Sequence, residues 1–343
     1  MAESALSMDL GLCLSLLVTC SLLYFLIQFI RLIMADSDLT LQWAEYFGHT
    51  PESKLGHNVV WVTGASSGIG EELSYQLAKL GCPLILSSRR ENELLRVKQK
   101  CLEISSLEDQ DILILPLDMT QMSMHKEATE KALQHFGRID ILINNAGRWQ
   151  RSLFVETNLD VFRALIELNY LGTISITKQV LQHMIERKRG RIVNISSAVG
   201  LIGAPLSTGY SASKHALQGF FNSLRTELTT YPDIIISNIC PGPVQSNIVE
   251  NALTEECDKV LSIKTDQSHK MATERCARLV LITAANNLKE TWISGQPFLM
   301  GYYLWQYTPT WAWWLTAKVG ERRIKNFKSG VDADSSYFTK KSK

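Results

Sequence analysis

The sequence predicts an α/β fold, a single doubly wound parallel sheet with helices on both faces. Two observations carry this. From residue 58 to about 300, short β-rich runs alternate with longer helical stretches, and such alternation builds a parallel sheet with crossovers on its faces. The first of those runs passes directly into a glycine-rich turn and then a helical stretch, which is the opening of a strand–turn–helix unit.

Taken in order, residues 1–34 come first. Residues 10–30 carry no formal charge and are mostly Leu, Ile, Val, Phe and Cys. At about 1.5 Å per residue, such a helix spans the roughly 30 Å hydrocarbon core of a bilayer. A cleaved signal peptide would have positive charge before a shorter apolar core and a small-x-small site after it. Here Glu3 and Asp9 precede the run, and Phe29-Ile30-Arg31-Leu32-Ile33-Met34 follows it. The reading is a single N-terminal membrane anchor. Residues 35–56 are polar, with Trp43, Tyr46, Phe47 and Pro51, and read as a juxtamembrane connector holding one short helix. Residues 57–300 form the main domain, with strands expected at 59–63, 83–87, 112–116, 139–143, 191–195 and 234–239, and a last one near 297–300. Residues 301–343 are an aromatic and basic C-terminal extension.

A net charge of +1 gives no reason to invoke nucleic acid. The seven cysteines form no C-x-x-C pair, are odd in number, and include two in the apolar run. They read as free thiols, with neither a disulfide framework nor metal-ligand spacing.

After the first strand comes Thr63-Gly64-Ala65-Ser66-Ser67-Gly68-Ile69-Gly70. Its glycines permit a tight turn, close approach of a pyrophosphate, and close helix–strand packing. The following helix presents its N-terminus to the anion. Gly64, Ser66, Ser67, Gly68, Ile69 and Gly70 are therefore candidate cofactor residues of a Rossmann-type sheet. The second strand runs into Ser87-Ser88-Arg89-Arg90. Proteins specific for NAD place an acidic residue there for the ribose 2′-hydroxyl. Arg89 and Arg90 suit a 2′-phosphate in charge and planar geometry, so NADP(H) is preferred, with NAD(H) still open.

Tyr210 and Lys214 lie four apart, on one face of a helix. A phenol has an ordinary pKa of about 10. A neighbouring ammonium favours the phenolate, so the pair is expected to act as a proton donor and acceptor tuned toward neutral pH.

With Thr63–Gly70, Asn144-Asn145-Ala146-Gly147 and Tyr210-Ser211-Ala212-Ser213-Lys214 in this order, the chain resembles the short-chain dehydrogenases/reductases over roughly residues 57–300. The resemblance implies that Tyr210 is the general acid in carbonyl reduction and the general base in alcohol oxidation. It implies that Lys214 lowers the Tyr210 pKa and binds the nicotinamide ribose. Ser197, thirteen residues before Tyr210, would polarise the substrate oxygen. Asn169 would hold a water in a proton relay, and Asp118 would lie beside the adenine. Asn145, Ala146 and Gly147 would line the cofactor, as would Pro241, Gly242, Val244 and Ser246. Ser246 stands where the family commonly has threonine. A homodimer through the helices carrying Asn169 and Tyr210 is a further family expectation.

The substrate loop is expected between residues 240 and 271. It carries no basic cluster near its active-site end, which favours a neutral, lipophilic carbonyl or alcohol. Steroids, retinoids and quinones are the classes the resemblance and the anchor suggest. Trp305, Trp311, Trp313 and Trp314, followed by Lys318, Arg322, Arg323, Lys325 and Lys328, suit a membrane interface or a segment packed over the cleft. Arg31 and Lys54 follow the anchor while no base precedes it, which leans toward a cytosolic catalytic domain. Lys340-Lys341-Ser342-Lys343 resembles an endoplasmic reticulum retrieval signal. The leading function is a membrane-bound NADPH-dependent carbonyl reductase. The alternatives are an NAD-dependent alcohol dehydrogenase and a non-catalytic cofactor-binding scaffold.

Overall fold

The computed structural model describes residues 2–259, 267 and 270–330, with side chains from residue 14 onward. The C-terminal lysine motif at 340–343 and part of the expected substrate loop lie outside the described residues.

The main domain is one sheet of seven parallel strands: β1 (Val60–Thr63), β2 (Leu84–Ser87), β3 (Ile112–Ile114), β4 (Ile141–Asn144), β5 (Gly190–Ile195), β6 (Ile234–Pro241) and β7 (Glu290–Ile293). Their order is β3-β2-β1-β4-β5-β6-β7. The order reverses between β1 and β4, so a crevice opens there at the carboxyl ends of the strands.

β1, β2 and β4 are buried along their whole length, and alternate residues of the central strands feed two separate cores. One core joins Val60, Val62, Leu84, Ile141 and Val193 to the helices on one face of the sheet. The chain begins with α1 (Ala2–Met34), α2 (Leu39–Phe47) and α3 (Pro51–Lys54). Leu73 and Leu77 of α4 (Gly68–Lys79) and Leu94 and Val97 of α5 (Glu91–Ile104) enter this first core, as does α10 (Thr273–Ala285). The second core joins Trp61, Ile85, Leu142, Ile192 and Ile236 to α6 (His125–Phe136), α8 (Thr173–Glu186) and α9 (Thr208–Glu227). The short α7 (Leu159–Ile166) precedes α8. Burying each large apolar side chain contributes about 1.5–3 kcal/mol.

Two expectations need correction. The last strand is not near residue 297 but at Glu290–Ile293, and the expected stretch instead begins α11 (Phe298–Tyr307). Pro297 has no N–H to give a ladder, and it stands at the N-cap of that helix, where none is needed. The connector holds two helices rather than one, and it is not a loose tether. Leu41, Ala44 and Leu55 belong to the main core. Ser37 bridges Ile293 in antiparallel fashion, and the Asp38 carboxylate caps α2 and accepts from the Trp292 N–H at 2.7 Å. The polar character of residues 35–56 hid these long-range anchors.

Within α1, residues Leu14–Met34 have a mean hydropathy of 2.1, and none of that stretch is buried. Among the described residues it is the one helix long and apolar enough to cross a membrane. The C-terminal extension forms α11 and α12 (Pro309–Lys328).

Candidate active site

The glycine turn between β1 and α4 sits at the switch point. Gly64 and Gly68 have φ of +67° and +59°, which side-chain-bearing residues rarely adopt. A Cβ on Gly70 would lie 2.3 Å from the Gly64 carbonyl oxygen. The end of β4 is tied to this turn. The Asn145 side-chain amide donates to the carbonyls of Thr63 (3.0 Å) and Gly64 (3.2 Å), while the Thr63 hydroxyl accepts from the Asn145 and Ala146 N–H groups. Ser67, at the N-cap of α4, makes no side-chain cap, so the first N–H groups of the helix face outward to an anion.

A cleft of about 300 Å³ opens over this turn. Ser66, Ser67, Gly68 and Ile69 meet Arg89, Arg90, Asp118, Asn145 to Gly147 and Ser246 there. The two arginines do different things. Arg90 Nη2 donates to the hydroxyls of Ser66 and Ser67, both at 3.0 Å, and braces the turn. Arg89 is exposed at the cleft. Arg148 also lines the cleft, a residue the sequence reading passed over although it directly follows the Asn144–Gly147 motif. Its pKa is lowered by burial and then by the Arg89 charge. Pro241, Gly242 and Val244 lie outside the cleft. The Pro241 carbonyl accepts from Ser197, the Gly242 N–H donates to Ile293, and Val244 is packed in the core.

These features fit a dinucleotide. An uncapped helix N-terminus and guanidiniums face one cleft, and the glycines leave no side chains in the way.

The reacting end lies deeper, beside β5. Ser197 follows that strand, and α9 brings Tyr210 and Lys214, 7% and 4% exposed, up to it. Ser197 Oγ donates to the Pro241 carbonyl at 3.4 Å and accepts from the Val199 N–H at 3.3 Å, and the serine acts on the buried Tyr210 phenol. Lys214 Nζ donates to the Ile195 carbonyl at 2.9 Å and lies 5.7 Å from the centre of the Tyr210 ring. The start of α9 is fixed by Gln150, whose Oε1 accepts from the Gly209 N–H at 2.7 Å and the Tyr210 N–H at 3.4 Å. Just before it, Leu206 is held at φ +68°, a strained conformation for a branched side chain.

The expected lowering of the phenol pKa is not what these protein groups produce. Burial pushes Tyr210 up to about 12, with Ser197 opposing only in part. Burial also brings Lys214 down to about 8. Desolvation outweighs the ammonium because the Lys214 Nζ is directed at a carbonyl rather than at the phenol.

Asn169 sits in a π turn, Glu167–Gly172, between α7 and α8, a local geometry frequent at functional sites. Its side chain is fully committed to protein. Nδ2 donates to the Arg148 carbonyl and to Ser213 Oγ, both at 3.0 Å, and Oδ1 accepts from the Arg148 N–H at 2.9 Å. The asparagine thus joins Arg148, just after the end of β4, to Ser213 on α9. Below it, Asn144, Asn194 and Asn238 stand in register on β4, β5 and β6. Their amides form a buried ladder of 2.9 and 3.0 Å.

Residues 58–257 match the short chain dehydrogenase family model. The chain is 65% identical to human (Homo sapiens) dehydrogenase/reductase SDR family member 7, over 96% of this chain and 98% of that protein. It is 58% identical to the Mus musculus protein of the same name, with the same coverage of both. Among solved structures it resembles levodione reductase, with a TM-score of 0.61 and 25% identity over 70% of this chain and 97% of the other.

Proposed function

The chain belongs to the short-chain dehydrogenase family, and on that premise we propose that it is a membrane-bound oxidoreductase reducing lipophilic carbonyl compounds of the steroid, retinoid or quinone class with NADPH. The observation that carries this is the buried Tyr210 phenol, acted on by the half-buried Ser197 and one helical turn from Lys214, beside a cleft bearing guanidiniums. A bound reduced nicotinamide supplies the hydride. The side chains do the rest. As negative charge grows on the substrate oxygen, Ser197 and Tyr210 both donate to it. With its pKa raised to about 12, Tyr210 holds its proton at neutral pH and passes it to that oxygen, acting as general acid. Lys214, charged below about pH 8, stabilises the phenolate that remains.

NADPH over NADH is supported by Arg89 at the end of β2, by Arg148 across the cleft, and by the lack of a carboxylate in the Ser87–Arg90 stretch. A lipophilic substrate is supported by the apolar span at Leu14–Met34. Residence in the endoplasmic reticulum membrane belongs to the same reading.

The test is Tyr210→Phe. It keeps the ring and loses only the acid. NADPH should still bind, and turnover of a carbonyl substrate should fall by about 10²–10⁴-fold. Full turnover in that variant would end the proposal.

A further inference from the structure

The base of α1 is built into the catalytic end of the sheet. Gln296 Nε2 donates to the Leu32 carbonyl at 2.9 Å. Ala35 shares a small apolar cluster with Leu299 and Tyr302 of α11 and with Ala198, the residue directly after Ser197. The Leu39 N–H donates to the Tyr303 hydroxyl at 3.2 Å, so α2 meets α11 at this point. Further on, a Cβ at Gly320 of α12 would lie 3.7 Å from Pro205, in the loop between Ser197 and Tyr210.

Around this junction two separate elements expose aromatics. On α2, Leu39, Trp43, Tyr46 and Phe47 are 63–77% exposed, at helical spacing on one face. On α11 and α12, Tyr307, Trp311, Trp313 and Trp314 are 62–78% exposed. Lys318 Nζ stands 3.9 Å from the centre of the Trp314 ring. Farther along α12, five basic residues (Lys318, Arg322, Arg323, Lys325, Lys328) face one acidic residue, Glu321. Large exposed apolar patches on a folded protein mark interaction surfaces.

We propose that α2 and α11–α12 form an interfacial collar around the anchor. Their aromatics would sit at the boundary of headgroups and acyl chains, and the α12 bases against anionic headgroups. The collar holds the carboxyl ends of the strands, and with them Ser197 and Tyr210, against the bilayer, so that an apolar substrate enters from lipid. Continuity with the span argues for lipid as the occupant. The excess of positive charge argues against a second copy, whose α12 would repel this one. The inference rests on α1 crossing the membrane, as proposed above.

The experiment uses the full-length protein in nanodiscs containing phosphatidylserine and phosphatidylcholine with either brominated or plain acyl chains. Flotation with lipid at high pH tests the span by itself. Residues 1–34 contain no tryptophan, so bromine quenching of tryptophan emission reports the folded domain and not the anchor. Emission is expected to be lower in brominated lipid. The triple variant Trp43→Tyr/Trp311→Tyr/Trp314→Tyr should roughly halve that loss or better, because interfacial aromatics are the groups at bromine depth. Trp61→Phe, at a buried site, should leave it unchanged. Retained NADPH binding shows that each variant is folded. A chain that floats with lipid yet emits equally in both lipids overturns the collar, and so does quenching that survives the triple substitution. A chain that does not float overturns the span instead.

Discussion

Lys214 Nζ donates to the main-chain oxygen of Ile195 at 2.9 Å, two residues before Ser197. The ammonium is thus held by the strand that leads to Ser197, and burial lowers its pKa to about 8.

A pH dependence follows. Lys214 loses its proton near pH 8, so kcat/KM for reduction should be flat below that value and decline above it. Lys214→Arg remains charged throughout. It should be slower but lack the alkaline limb, and a pH–rate profile of both enzymes checks this.

The same groups give opposite trends in stability. The Lys214 pKa drops from 10.5 unfolded to about 8 folded, so the unfolded chain holds more protons in that window. Its contribution to stability therefore increases as pH rises from about 8 to 10.5. The Tyr210 pKa rises from 10.0 to about 12, so its contribution is lost as pH climbs through that higher window. Urea unfolding of the parent and of Tyr210→Phe across the alkaline range should show the variant spared the second loss.

Arg89 and Arg90 should separate by cofactor. Arg89→Asp is expected to reduce the preference for NADPH over NADH on the order of tenfold or more, the worth of one charge-assisted contact. Arg90→Ala removes the brace on Ser66 and Ser67 and should weaken both cofactors alike. Dissociation constants for the two nucleotides decide between these roles.

At Gly70 the added methyl of alanine meets the Gly64 carbonyl at 2.3 Å and Asn145 Nδ2 at 2.5 Å. Gly70→Ala should cost about 1–3 kcal/mol through overpacking and raise the cofactor dissociation constant. Thermal unfolding and nucleotide titration measure the two effects.

Arg275 on α10 holds both Asp36, through Nε at 2.8 Å, and Glu45, through Nη2 at 2.8 Å. The paired carboxylates keep its pKa above the ordinary value despite burial. Arg275→Ala should cost about 1–2 kcal/mol, more than a lone surface pair because both contacts are two-pronged and partly buried. The loss should shrink in high salt, and denaturant titrations at two ionic strengths test it.

Much of this was legible from local pattern. Strands β1 to β6 are mostly apolar runs of three to eight residues bounded by turns, because a strand buried on both faces has little room for polar residues. The turn at Gly64–Gly70 was legible because only glycine suits its backbone. Strand β7 was not, since Glu290-Thr291-Trp292-Ile293 carries polar residues that only the neighbouring helix and connector satisfy. Arg148 and Gln150 gave no local signal, because the Arg148 side chain reaches Asn251, 103 residues on, and the Gln150 side chain reaches Gly209, 59 residues on.

The sequence alone determined the α/β class, the cofactor turn, the apolar span and the spacing of Ser197, Tyr210 and Lys214, since each depends on residues near one another in the chain. The tertiary structure decided what depends on burial and long-range contact. It set the protonation of Tyr210 and Lys214, because desolvation is a property of the packed interior. It divided the work of Arg89 and Arg90, and it docked the connector and α11 beside Ala198, because those contacts join segments more than 90 residues apart.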